Sequence, residues 1–329
     1  MPRKGRNIVV VGTSAGGLEA LDELIGELPT DLPASIFIVQ HMAPENTAEA
    51  LLHRLGRYKA FRCKLASDGE TFGSGRIYIA PPDFHMLIKK STLLVTKGAR
   101  ENRYRPAVDP LFRSAAVTHG PAVIGVILTG MLDDGTAGLV AIKRCGGVTV
   151  VQDPEDAAYP EMPRNALNSL KVDHCVAVAG MGRLIEKLAR EAPGNPKAIP
   201  KDIRTEAEIA ERVLSDIAQV DTLGDQVPYN CPNCGGVLWQ MTHPDQQRFR
   251  CHTGHSFTAK ALVAAQSEKI EESLWVSLRM LEERRNLLNG MAEKATRARS
   301  KRSYVDRASE TAVHIERIRG MLLAREGDK

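Results

Sequence analysis

The stretch 8-IVVVGTSAGGLEAL-21 decides how this chain folds. Ile8 to Val11 is an unbroken apolar run ending at Gly12, the pattern of a strand buried on both faces of a parallel sheet. Beyond Gly16 and Gly17, the apolar Leu18, Leu21, Leu24 and Ile25 recur at helical spacing. The order strand, glycine turn, helix serves two chemistries. A phosphate cradle needs G-x-G-x-x-G or G-x-x-x-x-G-K-[ST], but Ser14 stands where the second glycine would be and no lysine follows Gly17. Gly12 to Gly16 instead has the form G-x-S-x-G, in which small neighbours let a sharp turn lift a serine hydroxyl above the strand ends. The plainer reading of Ser14 is a helix-capping side chain.

Outward from this stretch, β-rich apolar runs alternate with helical patterns as far as about residue 190. Strands are expected at 8–13, 35–40, 76–81, 122–129, 147–152 and 174–179, and helices at 46–57, 109–120 and 135–146, with Asn46 and Asp109 as candidate caps. This alternation predicts an α/β fold with a doubly wound, mostly parallel sheet. The stretch 85-HMLIKKSTLLVTKG-98 reads as an antiparallel hairpin at a sheet edge.

The stretch 192-APGNPKAIPKD-202 holds three prolines and a glycine and reads as a linker. An amphipathic helix is expected over 204–220, then a Cys/His segment. Two long helical stretches follow, with stripes at Leu274, Leu278, Leu281 and Leu288 and at Tyr304, Ala308, Ile315, Ile318 and Leu322. That spacing suits a helical hairpin or coiled coil, or a homodimer contact. The expected division is 1–191, linker 192–203, helix and Cys/His module 204–257, and helical hairpin 258–329.

At 329 residues the chain exceeds one ordinary core, and no segment approaches the roughly 20 apolar residues of a membrane span. A cytoplasmic protein is expected. Its 44 basic residues are nearly balanced by 40 acidic ones, so nucleic acid is not the expected partner. The basic run 294-KATRARSKR-302 reads as a solvated helix face.

In a doubly wound sheet, ligands bind beyond the carboxyl ends of the strands. The second strand ends in 39-VQHMAPEN-46 and the strand from 122 ends in 130-GMLDDGTAG-138. Ser14, His41 and an Asp pair are therefore delivered to one rim. Serine nucleophile, histidine base and aspartate orienter form the set that splits acyl transfer into two easier steps. Spacing does not choose between Asp133 and Asp134. The chain order Ser, His, Asp differs from the Ser, acid, His of α/β-hydrolases.

The motifs 12-GTSAGG-17, 40-QHM-42, 77-IYIAPPDFH-85, 104-YRPAVDPLF-112, 128-LTGMLDDGTAG-138 and 162-MPRNAL-167 resemble the catalytic domain of the CheB family, the chemoreceptor protein-glutamate methylesterases. The resemblance spans about residues 6 to 190. It implies Ser14 as nucleophile, His41 as general base and Asp134, the residue before the glycine, as orienting acid. It also implies the backbone N–H of Met131 in oxyanion stabilisation. Family members often carry Thr after the nucleophile, where this chain has Ala15. Familiar members also carry an N-terminal phospho-receiver domain, whereas this sequence opens at the catalytic strand, so a receiver of its own is not expected.

In the segment 228–257, Cys231-x-x-Cys234 is followed by Cys251 and His255. Paired C-x-x-C on a Gly-Gly turn with C-x-x-x-H has the ligand types of a structural zinc site. His243 and His252 compete with His255, but His252 adjoins Cys251 and neighbouring residues rarely reach one metal. A redox C-x-x-C is the rival reading. A similar extension occurs on receiver-less relatives of the methylesterases.

The expected function is a serine hydrolase that demethylates glutamyl methyl esters on a chemoreceptor-like or other signalling protein, with glutamine deamidation through the same acyl intermediate. No cofactor is expected for catalysis, and a structural Zn2+ is expected in the C-terminal module. The alternative is a non-catalytic scaffold acting through its zinc and helical modules.

Overall fold

In the computed structural model, residues 5–212, 217–242 and 246–324 are described. The elements run β1 (Ile8–Thr13), α1 (Gly17–Glu27), β2 (Ser35–Gln40), α2 (Glu49–Leu55), β3 (Arg62–Leu65), β4 (Arg76–Ile79), β5 (His85–Lys89) and β6 (Thr92–Thr96). There follow α3 (Val108–His119), β7 (Val123–Ile127), α4 (Thr136–Arg144), β8 (Val148–Gln152), α5 (Glu161–Ser169), β9 (His174–Val176) and α6 (Met181–Arg190). Seven strands form one sheet in the order β3-β4-β2-β1-β7-β8-β9, and every pairing in it is parallel. The fold is the α/β doubly wound class.

The apolar run of β1 explains its central place. Ile8 and Val10 pack on one face with Phe37, Phe112 and Ile127, while Val9 and Val11 pack on the other with Leu21, Ile38 and Ile185. Each such side chain contributes about 1.5–3 kcal/mol when fully buried, so a polar residue anywhere in 8–11 would be costly. With β2 on one side and β7 on the other, Gly12 lies level with Val39 and Ile127. The ends of three strands therefore stop at the same height, at residues 13, 40 and 127.

Several local expectations differ from what forms. The 85–98 hairpin is a separate two-stranded sheet, β5 with β6, and not an edge of the main sheet. The reason is that Met86, Leu87 and Ile88 are wholly buried in the core, with the Ile88 N–H bonded to Ser114 of α3. Neither candidate cap sits at its helix start. Ala48 and Ala107 occupy those places. Asn46 instead accepts the Ala48 N–H, and Asp109 turns inward to the Gly138 N–H and Asn102. Strand β3 and helices α5 and α6 complete the alternation. Helix α5 carries Pro163 in its first turn, where the missing N–H costs nothing, and this masks it in the sequence.

Next come α7 (Lys201–Arg212), α8 (Ile217–Asp221), β10 (Gly224–Asn230), β11 (Val237–Met241), β12 (Arg248–Cys251) and β13 (Ser256–Thr258), then α9 (Ala259–Lys294) and α10 (Ala298–Leu323). Residues 213–216 of the helix expected over 204–220 lie outside the described residues. Strands β10 to β13 form an antiparallel sheet. The chain divides into two compact units, Met1–Leu262 and Val263–Lys329. In the second, Leu278, Ile315 and Leu322 are buried among Leu274, Leu281 and Ile318, and Arg319 bridges to Glu282.

Within the first unit, the antiparallel sheet is mounted on the parallel one by buried charges. Glu101 accepts from Arg113 at 2.7 Å and from Arg250 at 3.1 Å. Glu206 of α7 accepts from Arg248 at 2.9 and 3.0 Å and from Arg250 at 3.2 Å. Burial alone would raise the Glu101 carboxyl, but Arg113 and Arg250 overcome it and hold it at about 2. Glu206 is likewise held far below its ordinary value against burial by Arg248, Arg113 and Arg250. The linker separates these two sheets in sequence, not in space.

Removing one partner of a buried pair strands the others. Glu206→Gln should cost about 3–5 kcal/mol at pH 7 by urea unfolding. A depressed carboxyl contributes stability above its unfolded value and loses it as pH falls toward its folded value. The difference between wild type and variant should therefore shrink below pH 4.5, the ordinary value for the group.

Candidate active site

The rim above β1, β2 and β7 gathers Ser14, His41 and Asp134. Ser14 follows β1 directly and precedes α1, whose N-cap Gly16 is left-handed at φ 74°, a conformation glycine adopts without strain. The turn is tied down on three sides. The Ser14 N–H donates to the Thr129 carbonyl at 3.1 Å, Gln40 Nε2 donates to the Ser14 carbonyl at 2.8 Å, and Thr129 Oγ1 donates to the Ala15 carbonyl at 3.0 Å. Gly130 must lack a side chain, since a Cβ there would lie 2.1 Å from Met162 Sδ and 2.9 Å from Ser14 Cβ. Ser14 Oγ itself makes no hydrogen bond among the described residues.

His41 is held by its main chain and by its ring. Its N–H donates to the Thr13 carbonyl at 3.1 Å, which keeps it beside the Ser14 turn. The Tyr104 ring stacks on the imidazole, 3.7 Å between centroids and 11° from parallel. Nε2 bonds Asp134 Oδ2 at 2.7 Å, while Nδ1 is buried without a partner. That pairing fixes the tautomer with the proton on Nε2 and leaves Nδ1 as the acceptor.

Asp134 is 1% exposed, yet its carboxylate is saturated. Oδ2 also accepts the Val108 N–H at 2.6 Å, and Oδ1 accepts Asn102 Nδ2 at 2.9 Å and the Asp109 N–H at 3.3 Å. Burial would raise its pKa, but the bond to His41, the imidazole's charge and the donors at Val108 and Asn102 pull it below the ordinary value. The neighbouring Asp109 goes the other way, raised by burial first and then by the charge of Asp134. Asp133 is raised by burial, and its Oδ1 accepts from Thr258 Oγ1 at 2.8 Å. It is Asp134, and not Asp133, that meets His41.

A cleft of about 520 Å³ is lined by Ser14, His41, Tyr104, Arg100, Arg103 and Arg105. Ser14 and His41 thus border one cavity, beside the N-terminal end of α1 with its positive dipole. The Met131 N–H, in the turn after Gly130, donates to no group among the described residues. Such a set can move a proton from a hydroxyl to an imidazole and receive negative charge on an oxygen.

A family model described as CheB methylesterase matches residues 9–185, more than half of the chain. The chain belongs to the CheB methylesterase family. A putative protein-glutamate methylesterase/protein-glutamine glutaminase of Leptospira interrogans is 39% identical over 183 residues, covering 55% of this chain and 93% of that protein. The Methanosarcina mazei protein-glutamate methylesterase/protein-glutamine glutaminase 2 is 37% identical over 193 residues, 56% of this chain and 52% of that one. The chain thus spans about half the length of some relatives and nearly all of others. The crystal structure of the Thermotoga maritima CheB methylesterase catalytic domain superposes with a TM-score of 0.54 at 36% identity, covering 55% of this chain and 98% of that one.

In this CheB-family chain Gln40 and Tyr104 stand inside the motifs 40-QHM-42 and 104-YRPAVDPLF-112, yet residue order gives neither of them nor Asn102 a role, and all three contact the rim residues or their main chain. Gln40 is marked in the sequence by adjoining His41. Tyr104 and Asn102 lie in an irregular segment with no periodicity, and only the tolerance of Asn for left-handed backbone marks Asn102, at φ 50°.

The family match ends before the Cys/His segment. Cys231, Cys234, Cys251 and His255 present ligand atoms all within 4.8 Å of one another. Cys234 Sγ lies 3.7 Å from Cys251 Sγ, which lies 3.5 Å from His255 Nδ1. A tetrahedron with metal–ligand lengths of about 2.3 Å to sulfur and about 2.0 Å to nitrogen has edges of about 3.5–3.8 Å, so the set fits a metal ion. A disulfide would need about 2.05 Å. His252 stands outside this set against Gly236, and His243 lies outside the described residues.

Elemental analysis of the purified chain should find one divalent ion per chain. Cys251→Ser, which removes the central thiolate, should lose it.

Proposed function

We propose that this protein is a serine hydrolase that removes methyl from γ-glutamyl methyl esters of a chemoreceptor-like signalling protein. The observation that supports this best is that Ser14 and His41 line one cleft, with His41 Nε2 bound to Asp134 and Nδ1 left without a partner. Ser14 Oγ attacks the ester carbonyl carbon as its proton passes to His41 Nδ1. The oxyanion takes the Met131 N–H, a kind of donor worth about 2.7–4 kcal/mol in the transition state. On collapse, Nδ1–H returns the proton to the leaving oxygen, and methanol departs. Water then attacks the acyl-serine with the same base and releases the glutamate carboxylate. Deamidation of glutamine passes through the same acyl-serine with ammonia as the leaving group, consistent with the double names of the relatives.

Asp134 holds the tautomer and balances the imidazolium. A scaffold without chemistry has no need of a hydroxyl and an imidazole brought to one cleft beside that carboxylate. Arg100 and Arg103 beside the cleft suit a segment carrying further carboxylates. In this reading the Cys/His cluster holds a structural Zn2+, α9 and α10 provide a homodimer contact, and the protein works in the cytoplasm. No helix among the described residues is long and apolar enough to cross a membrane.

Methanol release from methylated chemoreceptor is the test. Ser14→Ala should abolish it without unfolding the chain, and a fully active variant would overturn the assignment. Asp134→Asn should lower kcat on the order of 10⁴-fold because the tautomer is no longer set. Asp133→Asn keeps an oxygen for Thr258 and should lose less than tenfold, as roughly expected when a neutral acceptor replaces a charged one.

A further inference from the structure

Strand β13 passes from the metal-ligating cluster to the surroundings of Asp134 within three residues. His255 is one of the four clustered side chains, and the carbonyl of the next residue, Ser256, accepts the Asn102 N–H at 2.7 Å. Two residues on, the Thr258 N–H donates to Asn102 Oδ1 at 3.1 Å. The main chain of β13 therefore grips Asn102 at both its backbone and its amide. The other end of that amide, Nδ2, donates to Asp134 Oδ1 and to Asp109 Oδ2, each at 2.9 Å. A second tie runs beside the first. Thr258 Oγ1 donates to Asp133 at 2.8 Å and accepts the Ala261 N–H at 3.1 Å, so the residue that caps α9 also holds the loop carrying Asp134.

The backbone shows why Asn102 needs this grip. Asn102 and Arg103 are both left-handed, at φ 50° and 76°, and two such non-glycine residues in succession persist only where their surroundings fix them. On one side Glu101 is anchored to Arg113 and Arg250. On the other stand the Ser256 carbonyl and the Thr258 N–H. Arg250 and Cys251 are adjacent on β12 and His255 directly precedes β13, so the cluster and the groups that hold Asn102 share two neighbouring strands. What orders the cluster therefore orders the groups that hold Asn102.

We propose that the Cys/His module is a working part of the hydrolytic site: its ligated metal fixes β13, β13 fixes Asn102, and Asn102 holds Asp134 against His41. Asn102 is a positioning residue, and occupancy of the cluster sets turnover at Ser14. This rests on the reading of Ser14, His41 and Asp134 as a triad.

The test uses the full chain, metal-loaded and after treatment with o-phenanthroline, with methanol release from methylated chemoreceptor and the downfield NMR signal of the His41 ring N–H as readouts. Asn102→Leu should lower kcat about tenfold to hundredfold with little change in KM. It should also weaken the N–H signal and move the acidic limb of the kcat/KM profile to lower pH, because a less well-placed carboxylate supports the imidazolium less. Chelation of wild type should reproduce all three effects, and chelation of Asn102→Leu should add almost nothing, since both cut the same connection. Independent, multiplying losses with an unmoved N–H signal would overturn the coupling while leaving the triad intact. Equal methanol release by wild type and Ser14→Ala would instead overturn the triad reading itself.

Discussion

The carboxylate of Asp134 is a negative charge with almost no access to water, and it survives because four donors meet it. They come from three places in the chain: the ring of His41 after β2, the amide of Asn102, and the adjacent main-chain N–H groups of Val108 and Asp109 at the start of α3. A buried carboxylate missing such partners would take up a proton and cease to orient an imidazole. The first turn of α3 is therefore both a structural element and part of the site. The left-handed Asn102 and the irregular segment around it have the same origin, since an amide donor must be brought to the one oxygen face that the helix start and His41 leave open.

The parallel sheet supplies the rest of the geometry. Its register brings the ends of β1, β2 and β7 level, so that short extensions past each strand meet. Two of these ends are legible in the sequence, since the expected strands 8–13 and 35–40 stop at Thr13 and Gln40 as observed, while the third stops at Ile127, two residues short of its expected end at 129. Ser14 and His41 stand one residue past their strands, where no packing constraint explains a hydroxyl or an imidazole. Spacing alone cannot separate Asp133 from Asp134, because both leave the same turn, and only three-dimensional contact shows one meeting His41 and the other Thr258.

What the sequence hides is hidden for physical reasons. Asn102 and Tyr104 belong to a segment without period, so nothing in residue order says what they touch. Arg248 and Arg250 carry no mark of burial in the sequence, yet both are buried, because Glu101 and Glu206 approach from segments more than forty residues away. A proline-rich linker ordinarily announces independence. Here the chain returns after it, and buried ion pairs close the gap. The hairpin of β5 and β6 shows the same limit: its alternation is plain, but its packing on α3 is a tertiary fact.

The central claim is that Ser14 is activated by His41. A fluorophosphonate probe, which forms a covalent adduct with activated serines, tests it without any assumption about the natural substrate. Peptide mass spectrometry of labelled wild type should find the adduct on Ser14, with labelling at that residue slowed severely in His41→Ala. No adduct on Ser14, or equal labelling of Ser14 in the two proteins, would contradict the account.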